Sequence, residues 1–255
     1  MRWVLPIAAA VCLAGCQVQP ARNPNDPNEV SADKQPDVIE AYMKQMSEDV
    51  IRPAVAAGQV TDAKGREMMV QGAKEYLKTV HIKDTPPGVA WKLGEAFMAA
   101  EEWQRAEGFI RTALQTDTTP DRLVHDRIWL ARCEAELGIV DAAIKDARSS
   151  FVAPPPDKWP ILYAVYLEIV PAAERAHPET RLELAKLVED AIKQHRAAEG
   201  SFDDLRTRGF VIAREHHISL AWSLVVHLYE AAGRPELARA AAAKAVGKPP
   251  KGLAS

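Results

Sequence analysis

The sequence is poor in the features that build β-structure. Aromatic residues make up 6% of its 255 residues, no Asn-Gly hairpin turn occurs, and alternating β-branched runs are few. Strands are normally marked by such alternation between turn residues, so these deficits argue against an all-β domain. The 47% of residues that are hydrophobic recur instead with a helical period. The sequence predicts an all-α protein.

Local motifs for catalysis or metal binding are also missing. The sequence has no Gly-rich phosphate loop, no Cys-x-x-Cys pair and no nucleophile elbow. Glu215-His216-His217 is the most suggestive trio, but adjacent helical side chains point about 100° apart. Histidines that share a metal need i,i+3 or i,i+4 spacing. We predict no catalytic residue, no metal site and no cofactor.

An excess of positive charge is absent as well. The chain has 32 Lys and Arg against 35 Asp and Glu, which gives a net charge of −3. Proteins that bind nucleic acid carry a basic patch or stripe, so we expect no nucleic-acid partner.

Residues 37–255 are numerous enough to bury the core of one substantial domain.

The longest apolar run is too short to cross a membrane. It covers residues 3–13 after Arg2, and the small residues Ala14 and Gly15 separate it from Cys16. A spanning helix needs about 20 apolar residues. A basic start, a short apolar run and a small-residue exit are typical of a secretory signal peptide.

The stretch LAGC at residues 13–16 resembles the lipobox of bacterial lipoproteins. The resemblance implies a signal peptide over residues 1–15, cleavage between Gly15 and Cys16, and acylation of Cys16, for example with palmitate. Membrane lipid is then one partner, and Gln17 favours the outer membrane by analogy with known sorting rules. A cleaved secretory peptide in which Cys16 is incidental, or an uncleaved anchor, are the alternatives.

The segment after this cysteine is rich in proline and asparagine. Residues 16–36 contain almost nothing apolar and carry Pro20, Pro24, Pro27 and Pro36. Such a segment buries too little surface to offset its ordering entropy. We predict a flexible tether over residues 16–36, followed by the helical domain at 37–255.

Apolar residues in that domain recur every three or four positions. Val38, Tyr42, Met46 and Val50 form the first stripe, which Pro53 is predicted to end or kink. Thr61 or Asp62 is predicted to cap the next helix. The sequence predicts roughly ten helices joined by short turns.

Three windows share a helix–turn–helix pattern: AWKLGEAFMAAEEWQRAEGFIRTAL (90–114), WLARCEAELGIVDAAIKDARSS (129–150) and WSLVVHLYEAAGRPELARAAAAKAV (222–246). Small and large residues alternate where paired helices must approach closely. The predicted packing positions are Leu93, Gly94, Phe97, Ala106, Ala113, Gly138, Ala143, Ser150, Trp222, Tyr229, Gly233, Ala238 and Ala245.

This pattern resembles the tetratricopeptide repeat, although its spacing along this chain is irregular. The resemblance implies a solenoid of stacked helix pairs with a groove that binds proteins. An irregular helical bundle is the alternative. Trp91 and Trp159, beside proline-containing loops, are the candidate groove residues, although tryptophans in helical repeats more often pack between helices.

Together these features predict a non-catalytic scaffold or assembly factor in the bacterial cell envelope. It faces the periplasm from the outer membrane and binds an unidentified envelope protein or peptide segment. One rival is an envelope enzyme acting on polysaccharide or peptidoglycan, which would show paired carboxylates with raised pKa values. A structural bundle without a groove is the other.

Overall fold

The described part of the chain is helical throughout. A computed structural model describes residues 23–116, 119–152, 161–205 and 207–245, and these ranges contain helices, turns and coil but no strand. The predicted all-α class is confirmed. The predicted signal peptide, Cys16, the first part of the predicted tether and Trp159 lie outside the described residues.

Ten helices follow one another in these ranges, two of them with an internal π-helical stretch. The first five are α1 (Gln35–Gln45, π-helical Met46–Ile51 and Arg52–Ala56), α2 (Asp62–Lys78), α3 (Pro87–Ala99), α4 (Trp103–Leu114) and α5 (Pro120–Glu136). The others are α6 (Val140–Ser149), α7 (Ile161–Ala164, π-helical Val165–Ile169 and Val170–Ala176), α8 (Arg181–Ala197), α9 (Arg208–Ala231) and α10 (Pro235–Ala245). Short 3-10 turns lie at Ser150–Val152 and Pro178–Thr180.

The helices pack as five consecutive helix–turn–helix pairs. Within the pairs, α3 packs on α4, α5 on α6 and α9 on α10; between pairs, α4 packs on α5 and α8 on α9. The first helices of the pairs also contact one another, α1 with α3, α5 with α7 and α7 with α9. The architecture is an irregular tetratricopeptide-like solenoid. We call the surface formed by α1, α3, α5, α7 and α9 the first-helix face.

The turns of the three quoted windows have the same hydrogen bonds. Gly138 (φ 76°) and Gly233 (φ 70°) adopt a left-handed backbone at the residue after the C-cap of their helices. In the first window Glu101, with φ 53°, takes the corresponding position. The backbone N–H of the next residue then donates to the carbonyl oxygen five residues earlier. Glu102 N–H donates to Phe97 O at 2.9 Å, and Ile139 N–H donates to Glu134 O at 2.8 Å. A left-handed residue closes helices in this way and satisfies their last carbonyls.

Proline inside two helices is accommodated by the π-helical stretches. The sequence predicted that Pro53 would either end or kink α1. It does not end the helix, which continues to Ala56. Arg52 N–H donates to Ser47 O, and in α7 Val170 N–H donates to Val165 O, both spanning five residues. Each π-helical stretch lies just before a proline. At a proline an α-helix would lose a backbone N–H donor, and the proline ring would clash with the preceding turn.

Residues 23–36 of the predicted tether form turns and the start of α1. The Asn28 side chain donates to Thr79 O at 3.1 Å and accepts from His81 N–H at 2.8 Å. Gln35, which is fully buried, donates to His81 O at 2.8 Å and accepts from Lys83 N–H at 2.9 Å. Two amide side chains therefore satisfy the backbone of the extended segment between α2 and α3, and residues 23–36 pack with the helical domain.

Buried apolar residues form two clusters along the solenoid. One joins α1 to α4 and includes Ile39, Leu77, Leu93 and Phe97. The other runs from α5 to α10. Trp129 of α5 packs against both clusters, so this helix links the two halves of the core.

Candidate functional site

The predicted packing residues lie between helices or in their turns. Ser150 is one of them, and its buried hydroxyl donates to Ala147 O at 2.6 Å. Ala245 is only partly buried. Gly138 and Gly233 are the turn residues described above, and the other positions are buried: Leu93, Gly94, Phe97, Ala106, Ala113, Ala143, Trp222, Tyr229 and Ala238. These positions hold the pairs together and present no polar group to a ligand.

A cluster of charged side chains lies on the first-helix face where α1, α3 and α5 meet. We call it the Glu95 cluster; its members are Asp37, Glu40, Trp91, Lys92, Glu95, Arg122, His125 and Asp126. Trp91 and Glu95 are one helical turn apart on α3, and Arg122 and Asp126 are one turn apart on α5. Side chains four residues apart share a helix face, so two such pairs meet across the α3–α5 junction.

Arg122 is the centre of this cluster. Its guanidinium carbon lies 3.7 Å from the centroid of the half-buried Trp91 ring, which is a cation–π contact. The same group forms an ion pair with Asp126 and lies 3.9 Å from Glu95 Oε1. His125 Nδ1 lies 3.2 Å from the Asp126 carboxylate.

Two polar atoms in the cluster are buried without a hydrogen bond. Asp126 is 0% exposed, and neither its Oδ2 nor Arg122 Nε has a hydrogen-bonding partner. A buried polar atom left unpaired costs about 1–3 kcal/mol. Similar atoms occur elsewhere in the described chain, among them Arg132 Nε and Glu134 Oε2, but here both belong to one ion pair.

Lys92 connects this cluster to α1. Its ammonium lies 2.8 Å from Asp37 Oδ1 and 2.5 Å from Glu40 Oε2. Burial alone would lower the pKa of Lys92, but the two carboxylates outweigh burial and the net shift is upward. The lysine is therefore charged and already neutralised by α1.

Glu95 has the most altered acidity in the cluster. Burial raises the pKa of its carboxyl group to about 8; Arg122 and Lys92 lower this pKa, whereas Glu40 and Asp126 raise it further. Glu95 is therefore largely protonated at pH 7. A protonated carboxyl group beside a guanidinium and two carboxylates can both donate and accept a hydrogen bond.

The comparisons with known proteins identify no family for this chain. No family model matches the sequence, and no curated protein matches it. One solved structure is similar, a putative kinesin light chain from Podosopora anserina with nearly identical TPR-like repeats. It shares 18% sequence identity over 82% of this chain and 99% of that chain, with a TM-score of 0.37. The fold is therefore assigned from the helix pairs described above.

A second group of aromatic and histidine rings lies where α7, α8 and α9 meet. The Tyr163 and His217 ring centroids are 5.1 Å apart, and those of His195 and His217 are 6.2 Å apart. Burial lowers the pKa of His195 to about 4, with His217 and Arg214 contributing in the same direction. Burial also lowers the pKa of His217, so the His195 and His217 rings are neutral at pH 7. Among the described residues no group of three or more side chains could hold a metal ion.

Trp91, predicted as a groove residue, does lie on the first-helix face, but one side of its ring is covered by Arg122. Sequence reasoning missed Glu95, Arg122 and Asp126. Their only sequence signal is i,i+4 spacing within two separate helices, and that spacing does not show that the helices meet.

No helix in the described ranges is both long and apolar enough to cross a membrane.

Replacing Glu95 with glutamine is expected to raise the free energy of unfolding by about 1–3 kcal/mol at pH 7, since each pKa unit corresponds to about 1.4 kcal/mol. In the unfolded chain this carboxyl group ionises near its ordinary pKa, whereas the folded pKa is about 8. Stability from this group is therefore lost as pH rises from about 4.5 to 8.

Urea unfolding of wild type and Glu95→Gln at pH 5 and pH 7 tests this. The stability difference between the two proteins should be larger at pH 7 than at pH 5. An equal difference at both pH values would show that the Glu95 carboxyl is not held protonated.

Proposed function

We propose that this protein is a lipid-anchored scaffold of the bacterial cell envelope that binds a segment of another envelope protein on its first-helix face. The observation that carries the proposal is the Glu95 cluster. A surface that served only as a cover would be solvated, whereas this one holds an aromatic ring, a desolvated carboxyl group and two unpaired buried atoms on two helices, α3 and α5. Ordered polar groups of this kind give a binding surface its specificity.

The anchoring part of the proposal is supported by the sequence LAGC at residues 13–16. Acyl chains on Cys16 would place the scaffold in the periplasm, at the outer membrane. Each buried CH₂ group contributes roughly 0.8 kcal/mol to membrane affinity, so several chains make release negligible. Membrane attachment also concentrates the first-helix face near envelope partners.

The anchor is tested by expressing wild type and Cys16→Ser in a Gram-negative host with radiolabelled palmitate. We expect wild type to carry the label and to sediment with the outer membrane, and the variant to lose both. Cys133→Ala is the matched control, because Cys133 is fully buried and its thiol pKa is raised to about 12 by burial. It should keep the label. An unlabelled, soluble wild type would contradict the anchor.

The binding surface is tested by site-specific photocrosslinking in the same cells. The photoreactive residue p-benzoylphenylalanine is placed at Trp91 on the first-helix face, or at Lys145, which is exposed on α6. We expect a defined envelope protein to crosslink at Trp91 and not at Lys145. Equal crosslinking at both positions, or none at Trp91, would contradict a binding role for this face.

One observation favours a second function. Glu95 has a raised pKa, and both Glu95 and Asp126 lie next to Arg122; an enzyme acting on peptidoglycan or polysaccharide uses two carboxyl groups, one of them with a raised pKa. Asp126, however, is fully buried and paired with Arg122, so it is poorly placed to activate water. Clearing of a peptidoglycan suspension by wild type but not by Glu95→Gln would establish the enzyme instead.

A further inference from the structure

We propose that the side chains at the junction of α7, α8 and α9 form a binding site for a phosphate group. We call it the Arg214 site; its members are Tyr163 on α7, His195 on α8, and Phe210, Arg214 and His217 on α9. It shares no residue with the Glu95 cluster, and it goes beyond the proposed function because it needs no protein partner.

Three nitrogen atoms of this site are buried and have no hydrogen-bonding partner among the described residues. They are His195 Nε2, Arg214 Nε and His217 Nδ1. The His195 side chain lies deepest, with the residue only 3% exposed. Buried polar groups in folded proteins are normally hydrogen-bonded. Here three nitrogens from two neighbouring helices are able to donate to one acceptor group.

The Phe210 ring holds these groups together. The guanidinium carbon of Arg214 lies 4.5 Å from the centroid of this ring, and the His195 ring packs edge-on against it, with 4.8 Å between centroids. The His217 ring is next to His195, with 6.2 Å between centroids. The guanidinium and both imidazoles therefore lie around one aromatic ring.

The charge of Arg214 is not neutralised by a carboxylate of the described chain. Its Nη2 donates to Ala198 O at 2.8 Å, and its guanidinium rests on Phe210. The neighbouring acids Glu199 and Glu215 are exposed and form no ion pair with it. A buried or half-buried charge is normally paired, so Arg214 is able to bind an anion without first breaking an ion pair.

The charged groups that affect His195 are also basic. Burial lowers the pKa of His195 to about 4, and His217 and Arg214 lower it further. Burial lowers the pKa of His217 as well, with His216 adding to the effect. A neutral imidazole donates from whichever nitrogen carries its proton. An anion at this site is therefore attracted by Arg214 and accepts hydrogen bonds from two neutral rings.

The arrangement of the donors favours phosphate over a carboxylate. A guanidinium presents a fixed fork of N–H groups that matches phosphate oxygens, and the imidazoles of His195 and His217 add donors from α8 and α9. The oxygens of a phosphate point in four directions, whereas the two oxygens of a carboxylate lie in one plane. Such a phosphate is either inorganic phosphate or the headgroup of a phospholipid.

The site is open to solvent on one side. Tyr163 is 41% exposed, and Arg214 and His217 are half-buried. A phosphate group therefore reaches the guanidinium from outside, with His195 at the inner end of the site.

The experiment uses full-length protein in nonionic detergent, labelled with ¹³C in its histidine rings. Ring ¹H–¹³C spectra are recorded during titration with inorganic phosphate and, separately, with acetate, at constant ionic strength set by chloride. Single His→Gln variants assign the signals. We expect phosphate to shift the signals of His195 and His217 until saturation. The signal of His81, which is exposed between α2 and α3, should not move.

Arg214→Gln should weaken phosphate affinity by about tenfold or more, because it removes a charged hydrogen-bond donor. The matched control is Arg196→Gln, since Arg196 is exposed on α8 beside His195; it should bind phosphate as wild type does. Circular dichroism checks that both variants are folded. His217→Gln is the second variant, used if Arg214→Gln does not fold, and it should weaken affinity several-fold.

Micelles that contain phosphatidic acid or phosphatidylcholine distinguish the two sources of phosphate. Shifts with inorganic phosphate indicate a site for soluble phosphate, and shifts only with phosphatidic acid indicate a site for a lipid headgroup. Both results support the inference. It is overturned if neither ligand shifts His195 and His217, if acetate shifts them equally, or if the folded variants bind phosphate as tightly as wild type.

Discussion

Phe97→Ala is expected to lower the free energy of unfolding by about 3–5 kcal/mol, a typical cost for removing a buried aromatic ring. The Phe97 side chain is 0% exposed and stacks on Phe109, with 5.4 Å between ring centroids. Its ring also lies 3.9 Å from the guanidinium carbon of Arg105. Truncation would leave a cavity in the cluster that joins α1 to α4, where close packing prevents collapse.

Denaturant unfolding followed by circular dichroism measures this loss. Phe202→Ala is the matched control, because the Phe202 side chain is 60% exposed in the loop before α9. It should change stability by no more than about 0.5 kcal/mol. Similar losses for the two variants would show that Phe97 is not in a packed core.

Gly94→Ala is expected to destabilise the fold by about 1–3 kcal/mol, the usual cost of overpacking a core. A Cβ atom at Gly94 would lie 2.3 Å from Ile110 Cδ1 and 2.8 Å from Ile110 Cγ1. Ile110 is fully buried on α4, so its side chain has little room to move. The absence of a side chain at Gly94 lets α3 and α4 approach each other.

Gly108→Ala provides a comparison of opposite sign. Gly108 is exposed within α4, and a Cβ atom there would meet nothing within 4 Å. Alanine in an exposed helix interior is more stable than glycine by about 0.5–1 kcal/mol. Melting temperatures should therefore fall for Gly94→Ala and rise for Gly108→Ala. A rise in both would show that the two helices do not cross closely at Gly94.

The sequence was sufficient to predict the helices and most of their turns. Apolar periodicity and the glycines at positions 138 and 233 depend only on local backbone preferences, which a sequence displays directly. Glu101 was not predictable as the left-handed turn residue of the first window, because glycine normally takes that conformation. The helix pairing around this residue determines its backbone conformation.

The interactions that the sequence did not reveal join residues far apart in the chain. Asn28 and Gln35 resemble tether residues in composition, yet their amides pair with the backbone between α2 and α3, about fifty residues later. Likewise, Glu95 and Arg122 meet only because the fold brings side chains of α3 and α5 together on one face. Local pattern and composition contain no information on such long-range contacts.

The docking of residues 23–36 onto the helical domain also limits how far the domain can move. If Cys16 carries the lipid, only residues 16–22 separate the bilayer from Asn23, where the described chain begins. Seven residues, even fully extended, reach about 25 Å. The solenoid would then reach only a shallow layer above the lipid headgroups. A partner held deeper in the periplasm would have to extend a segment toward the membrane to bind it.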